Sequence, residues 1–282
     1  MRKHPLLRWA LRRPGLMIPV FFLSFSAGMS GQTVRMDAGA SVPGGICTVE
    51  QYIPGSPVNP ALLGKIKARQ FSLGHARPFV LKDLGITTVS LEHQAFPGTM
   101  QWKLSGYGIK GFRQNIISMG FGMMLTENLA AGIDFRFFNV SAEGRMFYLW
   151  ALAPGAGLNL RILPGLTIGI LLENPVSVNN YTRYGPGMPA ELSLGMSGKI
   201  YNNTTLYAEI TGSTSSPPVL RLGMDILTRP TAVIRAGYQS RIHTFSLGTG
   251  LRFGQLHINL AFSWSTLPGI TPSTFITHMA GP

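Results

Sequence analysis

Apolar and polar residues alternate with a period of two along much of the chain. In segment 255–265 every second residue is large and apolar, namely Leu256, Ile258, Leu260, Phe262 and Trp264. The residues between them are polar or small. Successive side chains of a β-strand point to opposite faces, whereas a helix would mix these two sets. The same alternation recurs in segments 128–140, 219–228 and 243–253, so the pattern predicts strands with one apolar and one polar face.

The alternating segments predict an all-β chain of about fourteen strands. Their expected ranges are 66–75, 86–95, 99–109, 114–125, 128–140, 147–162, 166–173, 190–200, 203–212, 219–228, 231–239, 243–253, 255–265 and 270–278. Tight turns are expected at 126–128, 163–165, 201–203, 228–230 and 254–255. Longer connections separate these turns, the longest at 174–189. Short periplasmic turns alternating with longer extracellular loops are typical of outer-membrane barrels.

The composition separates a membrane barrel from other all-β folds. Of 282 residues, 45% are hydrophobic and only 12% are charged, about half the charged share of a soluble domain. No apolar run long enough for a membrane helix follows the N-terminus. A soluble sandwich would carry Lys, Glu and Thr on its polar face, but here Gly, Ser and isolated charges fill it. Because a closed barrel is the other structure that can span lipid, residues 65–282 are predicted to form a transmembrane antiparallel β-barrel.

The first residues have the pattern of an export signal. Five basic residues come first: Arg2, Lys3, Arg8, Arg12 and Arg13. An apolar stretch at 16–25 follows them, and small residues follow that stretch. Residues 1–31 are therefore predicted to be a signal peptide cleaved just before Gln32. An uncleaved membrane anchor is the alternative. With either one, the chain is expected to leave the cytoplasm. The remaining cations are scattered, which disfavours nucleic acid and favours outer-membrane lipid as partner.

Residues 32–64 are rich in Gly, Pro and Ser and show no period. They end in a short apolar stretch, the candidate plug, made of Asn59, Pro60, Ala61, Leu62 and Leu63. Such a stretch has no obvious partner in water. Folding back into the barrel mouth would bury the two leucines, each worth about 1.5–3 kcal/mol when fully buried. The segment is thus expected to plug the lumen; a disordered periplasmic leader is the alternative.

The alternation also predicts which polar side chains face the lumen. These are Asp134, Arg136, Arg161, Glu173, Glu209, Arg221, Asp225, Arg235, Arg252 and His257. Both signs of charge occur among them, so cross-strand ion pairs that brace the wall are expected. Alternatively, some of the basic residues bind an anionic head group of a ligand.

No motif indicates a catalytic, metal or cofactor site. The glycines of 106–111 match a dinucleotide fingerprint, but strands are predicted on both sides and the fingerprint needs a following helix. The histidines lack metal-ligand spacing. Cys47 is the one cysteine, which excludes an intramolecular disulfide, and it is interpreted as a loop thiol. Ser263 or Ser265 beside His257 would suit a barrel lipid enzyme, the least favoured of three functional hypotheses.

Several of these segments resemble one family of barrels. Residues 220–227, 232–238, 245–253 and 258–263 resemble the closing hairpins of the PorV/PorQ group. These are outer-membrane barrels of Bacteroidota, related in architecture to the FadL long-chain fatty-acid transporters. Segments 118–122 and 131–137 resemble an earlier hairpin. The Asn-Pro-Ala sequence at residues 59–61 is similar to an element near the start of those barrels.

The resemblance implies a function without catalysis. As a member of the PorV/PorQ group, the chain would be a partner or shuttle in surface-protein export by type IX secretion, with other secretion-system proteins as partners. A FadL-like passage for small hydrophobic molecules is the alternative, with a hydrophobic ligand. The sequence leaves both open.

Overall fold

The computed structural model describes residues 44–49, 57–81, 84–109, 111–142, 149–179, 188–241, 243–266 and 269–281. The predicted signal peptide lies outside these residues. The described chain forms fifteen strands: β1 (Arg69–Ala76), β2 (Gly85–Ala95), β3 (Gly98–Ile109), β4 (Phe112–Met124), β5 (Leu129–Ala142), β6 (Leu149–Leu163), β7 (Leu166–Glu173), β8 (Val178–Asn179), β9 (Glu191–Tyr201), β10 (Thr204–Ser213), β11 (Ser216–Arg229), β12 (Ala232–Gln239), β13 (Thr244–Phe253), β14 (Leu256–Ser265) and β15 (Gly269–Ala280).

Fourteen of these strands close into an antiparallel barrel. Each strand pairs with the next along the chain, β7 pairs with β9, and β1 closes the ring by pairing with β15. The two-residue strand β8 lies outside this ring order and pairs with β6. The prediction of about fourteen strands is confirmed, with ends that differ by a few residues. The largest shifts at a strand start, three residues each, are in β1, which begins at Arg69, and in β11, which begins at Ser216.

The two faces of the barrel wall differ as the alternation predicts. Large apolar side chains cover the outer face; Leu247, for example, is 65% exposed. Inward positions are buried and mostly polar, and Arg235 on the neighbouring strand is 1% exposed. An apolar outer band around a polar interior is the arrangement of membrane barrels. Within the described residues, no helix has both the length and the apolar character to cross a bilayer.

The connections divide the barrel into two rims. All five predicted tight turns lie at one rim, together with the β2–β3 turn, the start of β1 and the end of β15. We call this the short-turn rim. The opposite loop rim carries the connections after β1, β5, β7, β12 and β14, as well as shorter ones after β3 and β10. The rims therefore correspond to the predicted periplasmic and extracellular sides.

Candidate functional site: the lumen and its inner segment

The residues before β1 lie against the inner face of the barrel. We call the described pieces, 44–49 and 57–66, the inner segment. Its second piece contains a 3₁₀ turn at Pro60–Lys65, which contacts β3, β4, β5 and β6. Asn59 caps this turn: its side-chain oxygen accepts a hydrogen bond from the Ala61 N–H at 3.0 Å, and proline suits the first position of such a turn. All five residues of the candidate plug are buried.

Asn59 also joins the two pieces to the wall. Its amide Nδ2 donates to the Thr48 carbonyl at 2.8 Å and lies 3.2 Å from the Ile170 carbonyl of β7. The same Thr48 carbonyl lies 3.4 Å from Nδ2 of Asn159, an inward residue of β6. Both amide side chains are fully buried. A buried amide without such partners would destabilise the fold, so this network fixes the position of the segment.

Glycines of the inner wall make room for the segment. Gly122, Gly132 and Gly157 are direct neighbours on β4, β5 and β6. A β-carbon at the first two would overlap the backbone of Pro60, and one at Gly157 would overlap the Asn59 side-chain oxygen. These glycines allow the backbone of the inner segment to approach the barrel wall closely, which is a recognised use of glycine in strands.

A second pair of glycines receives the first piece of the segment. Gly169 of β7 and Gly195 of β9 are paired across the sheet. A β-carbon at Gly169 would overlap the Thr48 carbonyl, and one at Gly195 would overlap the Thr48 hydroxyl. Any other residue at these two positions would therefore displace Thr48.

Glu209 of β10 binds the first piece of the segment directly. One carboxylate oxygen accepts hydrogen bonds from the backbone N–H of Cys47 at 2.9 Å, the N–H of Thr48 at 3.0 Å and the Thr48 hydroxyl at 2.8 Å. The other oxygen pairs with Arg221 of β11 at 2.9 Å. Cys47, interpreted from sequence as a loop thiol, is instead buried in the lumen because this network holds its backbone.

Two further ion-pair groups connect the wall strands, as the mixed charges predict. Arg136 of β5 pairs with Asp134 on its own strand at 2.6 Å and with Glu173 of β7. Arg235 of β12 lies 3.5 Å from Asp225 of β11 and donates to Asn259 at 2.9 Å. Inward acids therefore face inward cations across the strands.

Three of the ten predicted lumen-facing residues lie apart from these groups. Arg161 and Arg252 are exposed at the short-turn rim because their strands end within two residues. His257 is buried, but neither ring nitrogen has a hydrogen-bond partner. Ser265 bonds Thr244 at 2.9 Å. The described residues thus form no Ser-His pair, and no group of theirs could hold a metal ion.

Sequence reasoning missed the apolar part of the inner wall. Near the loop rim, inward positions carry apolar side chains, which we call the apolar arc: Ala76, Ile86, Tyr107, Ile116, Phe138, Ala151 and Ala153. The strand register makes Ala76, Ile86 and Tyr107 neighbours, and likewise Ile116, Phe138 and Ala151. The signal was available as apolar residues on the face otherwise occupied by polar ones.

The segment leaves the lumen at the short-turn rim. Lys103 Nζ donates to the Pro57 carbonyl at 3.1 Å, and Gln94 Nε2 donates to the Ile66 carbonyl at 2.7 Å. At the other end, the Gly44 N–H donates to Ser246 Oγ of β13 at 2.8 Å. The segment therefore contacts well-separated parts of the inner wall.

Comparison with known proteins identifies the fold. The toluene transporter TodX of Pseudomonas putida superposes with a TM-score of 0.60 and 13% identity, over 86% of this chain and 96% of TodX. A monoaromatic hydrocarbon channel variant, the TodX deltaS2 mutant, gives 0.64 and 13%, over 87% and 98%. The chain has the fold of an outer-membrane channel. No family model matches the sequence, and no curated protein matches it significantly.

Proposed function

We propose that the chain is an outer-membrane passage for small hydrophobic molecules, closed at rest by its own inner segment. The apolar arc is the observation that carries this proposal. A barrel that conducts polar solutes has a polar interior, whereas here the inward face is apolar over several adjacent strands near the loop rim. Apolar lining with a few polar groups is typical of sites for apolar ligands.

The structural likeness to TodX supports the same proposal. TodX is described as a toluene transporter and as a monoaromatic hydrocarbon channel. At 13% identity the likeness concerns the fold, so the ligand class rests on the inner wall of this chain. The sequence left two hypotheses open. The apolar inner wall favours passage of small hydrophobic molecules over a role in surface-protein export. The PorV/PorQ-like role in surface-protein export stays a prediction, as does cleavage of the signal peptide before Gln32.

Closure by the inner segment accounts for the buried polar side chains of the inner wall. Towards the short-turn rim the buried polar groups of the wall bind the segment, through Glu209, Asn159 and Lys103. A ligand that enters at the loop rim would meet the apolar arc first and the segment next. Passage would then require the hydrogen bonds of Thr48 and Asn59 to the wall to open.

Adjacent phenylalanines provide a matched test of the ligand site. Phe138 faces the lumen in the apolar arc, whereas Phe137 is exposed on the lipid face. Phe138→Ala is expected to weaken binding of the fluorescent apolar probe N-phenyl-1-naphthylamine to the purified barrel by about tenfold, because the probe loses one large apolar contact. Phe137→Ala should leave the affinity unchanged. Equal affinities for both variants, with heat-modifiable gel mobility retained, would contradict an apolar site in the lumen.

A further inference from the structure

Cations at the short-turn rim face the mouth of the lumen. Arg161, Lys199 and Arg252 are exposed, and each lies within two residues of the end of its strand. Their cross-strand neighbours are Thr167, Thr205 and His257. These neighbours belong to the inward rows of β7, β10 and β14, and residues directly opposite in an antiparallel pair share a face. The three side chains therefore border the lumen and not the lipid.

These three cations have no acidic partner among the described residues. The inward acids deeper in the barrel already pair with other arginines: Glu209 with Arg221, and Asp225 with Arg235. Glu92, which lies nearer the rim, accepts a hydrogen bond from Gln101 at 2.8 Å. Glu127 is the one acid in the short turns. Among the described residues, cations therefore outnumber unpaired acids at this mouth.

The cations are also spread around the ring. They belong to β6, β9 and β13, and exposed Lys67 adds a fourth where the inner segment leaves the lumen, next to the Ile66 carbonyl held by β2 and β3. Like charges around a low-dielectric opening focus the field and raise the local concentration of counter-ions. Rings of Arg and Lys select anions in membrane pores.

We propose that the short-turn mouth is an anion-binding vestibule, formed by Arg161, Lys199 and Arg252 with Lys67 beside them. Its ligands are small soluble anions that carry several charges, such as polycarboxylates, sulfonates or phosphates. Acidic lipid head groups would instead meet outward cations such as Arg69, which shares the exposed face of β1 with Phe71. This inference concerns the mouth alone and does not depend on which molecule crosses the barrel.

Binding of a soluble trisulfonate tests the vestibule. Pyranine (8-hydroxypyrene-1,3,6-trisulfonate) is titrated with the full-length barrel in neutral detergent at low salt, with fluorescence anisotropy as the readout. The variant Arg161→Gln/Lys199→Gln/Arg252→Gln is expected to bind about tenfold more weakly, since three exposed charge pairs are lost. Raising the salt concentration should remove the difference.

A control of equal charge isolates the position of the cations. Arg69→Gln/Arg77→Gln/Arg113→Gln removes three exposed cations from the lipid face and the loop rim and should bind pyranine within twofold of the wild type. Equal weakening in both triple variants would show that net charge alone attracts the anion and would overturn the proposal. Absence of pyranine binding to the wild type would overturn it too. Lys199→Glu, a single change at an exposed site, provides a second variant and should also weaken binding.

Discussion

Replacement of Gly157 by alanine is expected to release the inner segment and open the barrel. The added methyl group would overlap the Asn59 side-chain oxygen, and Asn59 cannot retreat without losing its bonds to Thr48 and β7. Cys47 reports the release, because it is the one cysteine of the chain and is 5% exposed. In Gly157→Ala, labelling of Cys47 by a water-soluble maleimide should accelerate by at least about tenfold, which corresponds to a loss of about 1.4 kcal/mol in protection.

A second glycine controls for the substitution itself. Gly198 of β9 has nothing within 4 Å of an added β-carbon, so Gly198→Ala makes the same chemical change without a clash. Its labelling rate should equal that of the wild type. Single-channel conductance in planar bilayers should rise for Gly157→Ala alone. If the two variants label and conduct alike, the inner segment is not held against Gly157.

Replacement of Glu209 by leucine is expected to destabilise the barrel and free the segment together. Arg221 would remain buried without its carboxylate, and removal of one partner of a buried ion pair costs about 3–5 kcal/mol. The backbone N–H groups of Cys47 and Thr48 would lose their shared acceptor as well. Unfolding in urea, followed by the loss of heat-modifiable mobility, measures the first effect, and labelling of Cys47 measures the second.

The double variant Glu209→Leu/Arg221→Leu separates these effects. Replacement of both partners by apolar residues removes the uncompensated charge, and such exchanges are often close to neutral. Most of the stability lost in the single variant should therefore return. Labelling of Cys47 should stay fast, because the acceptor for the segment is still missing. A double variant that protects Cys47 like the wild type would mean that Glu209 does not hold the segment.

The strands could be predicted from sequence because their signal is local. In β14 the alternation from Leu256 to Trp264 depends only on residues that follow one another, and the barrel uses that alternation without change. The fold thus followed from the period of two and the scarcity of charge. The two-residue strand β8 was missed because it is too short to show a period.

The contacts of the lumen could not be predicted because they join distant parts of the chain. Glu209 and Cys47 are 162 positions apart, and no local pattern indicates that they meet. Ion pairs occur among the residues predicted to face the lumen. Which acid meets which cation, however, depends on the register between the strands. Thr48 and Asn159 were missed as anchors of the segment for the same reason. Only the apolar stretch at Leu62 and Leu63 pointed to a segment inside the barrel.

A reversible cross-link between segment and wall tests most directly whether the segment closes the passage. A β-carbon at Gly195 would lie 3.1 Å from the Thr48 β-carbon, so a small outward shift of residue 48 brings the two β-carbons into the range of about 3.5–4.5 Å found in disulfides. Thr48→Cys/Gly195→Cys is made with Cys47→Ser to leave one pair of thiols, and toluene flux into proteoliposomes is measured. Flux should stop when the disulfide forms and return after reduction. Equal toluene flux in the oxidised and reduced states, with the cross-link verified by mass spectrometry, would contradict closure by the inner segment.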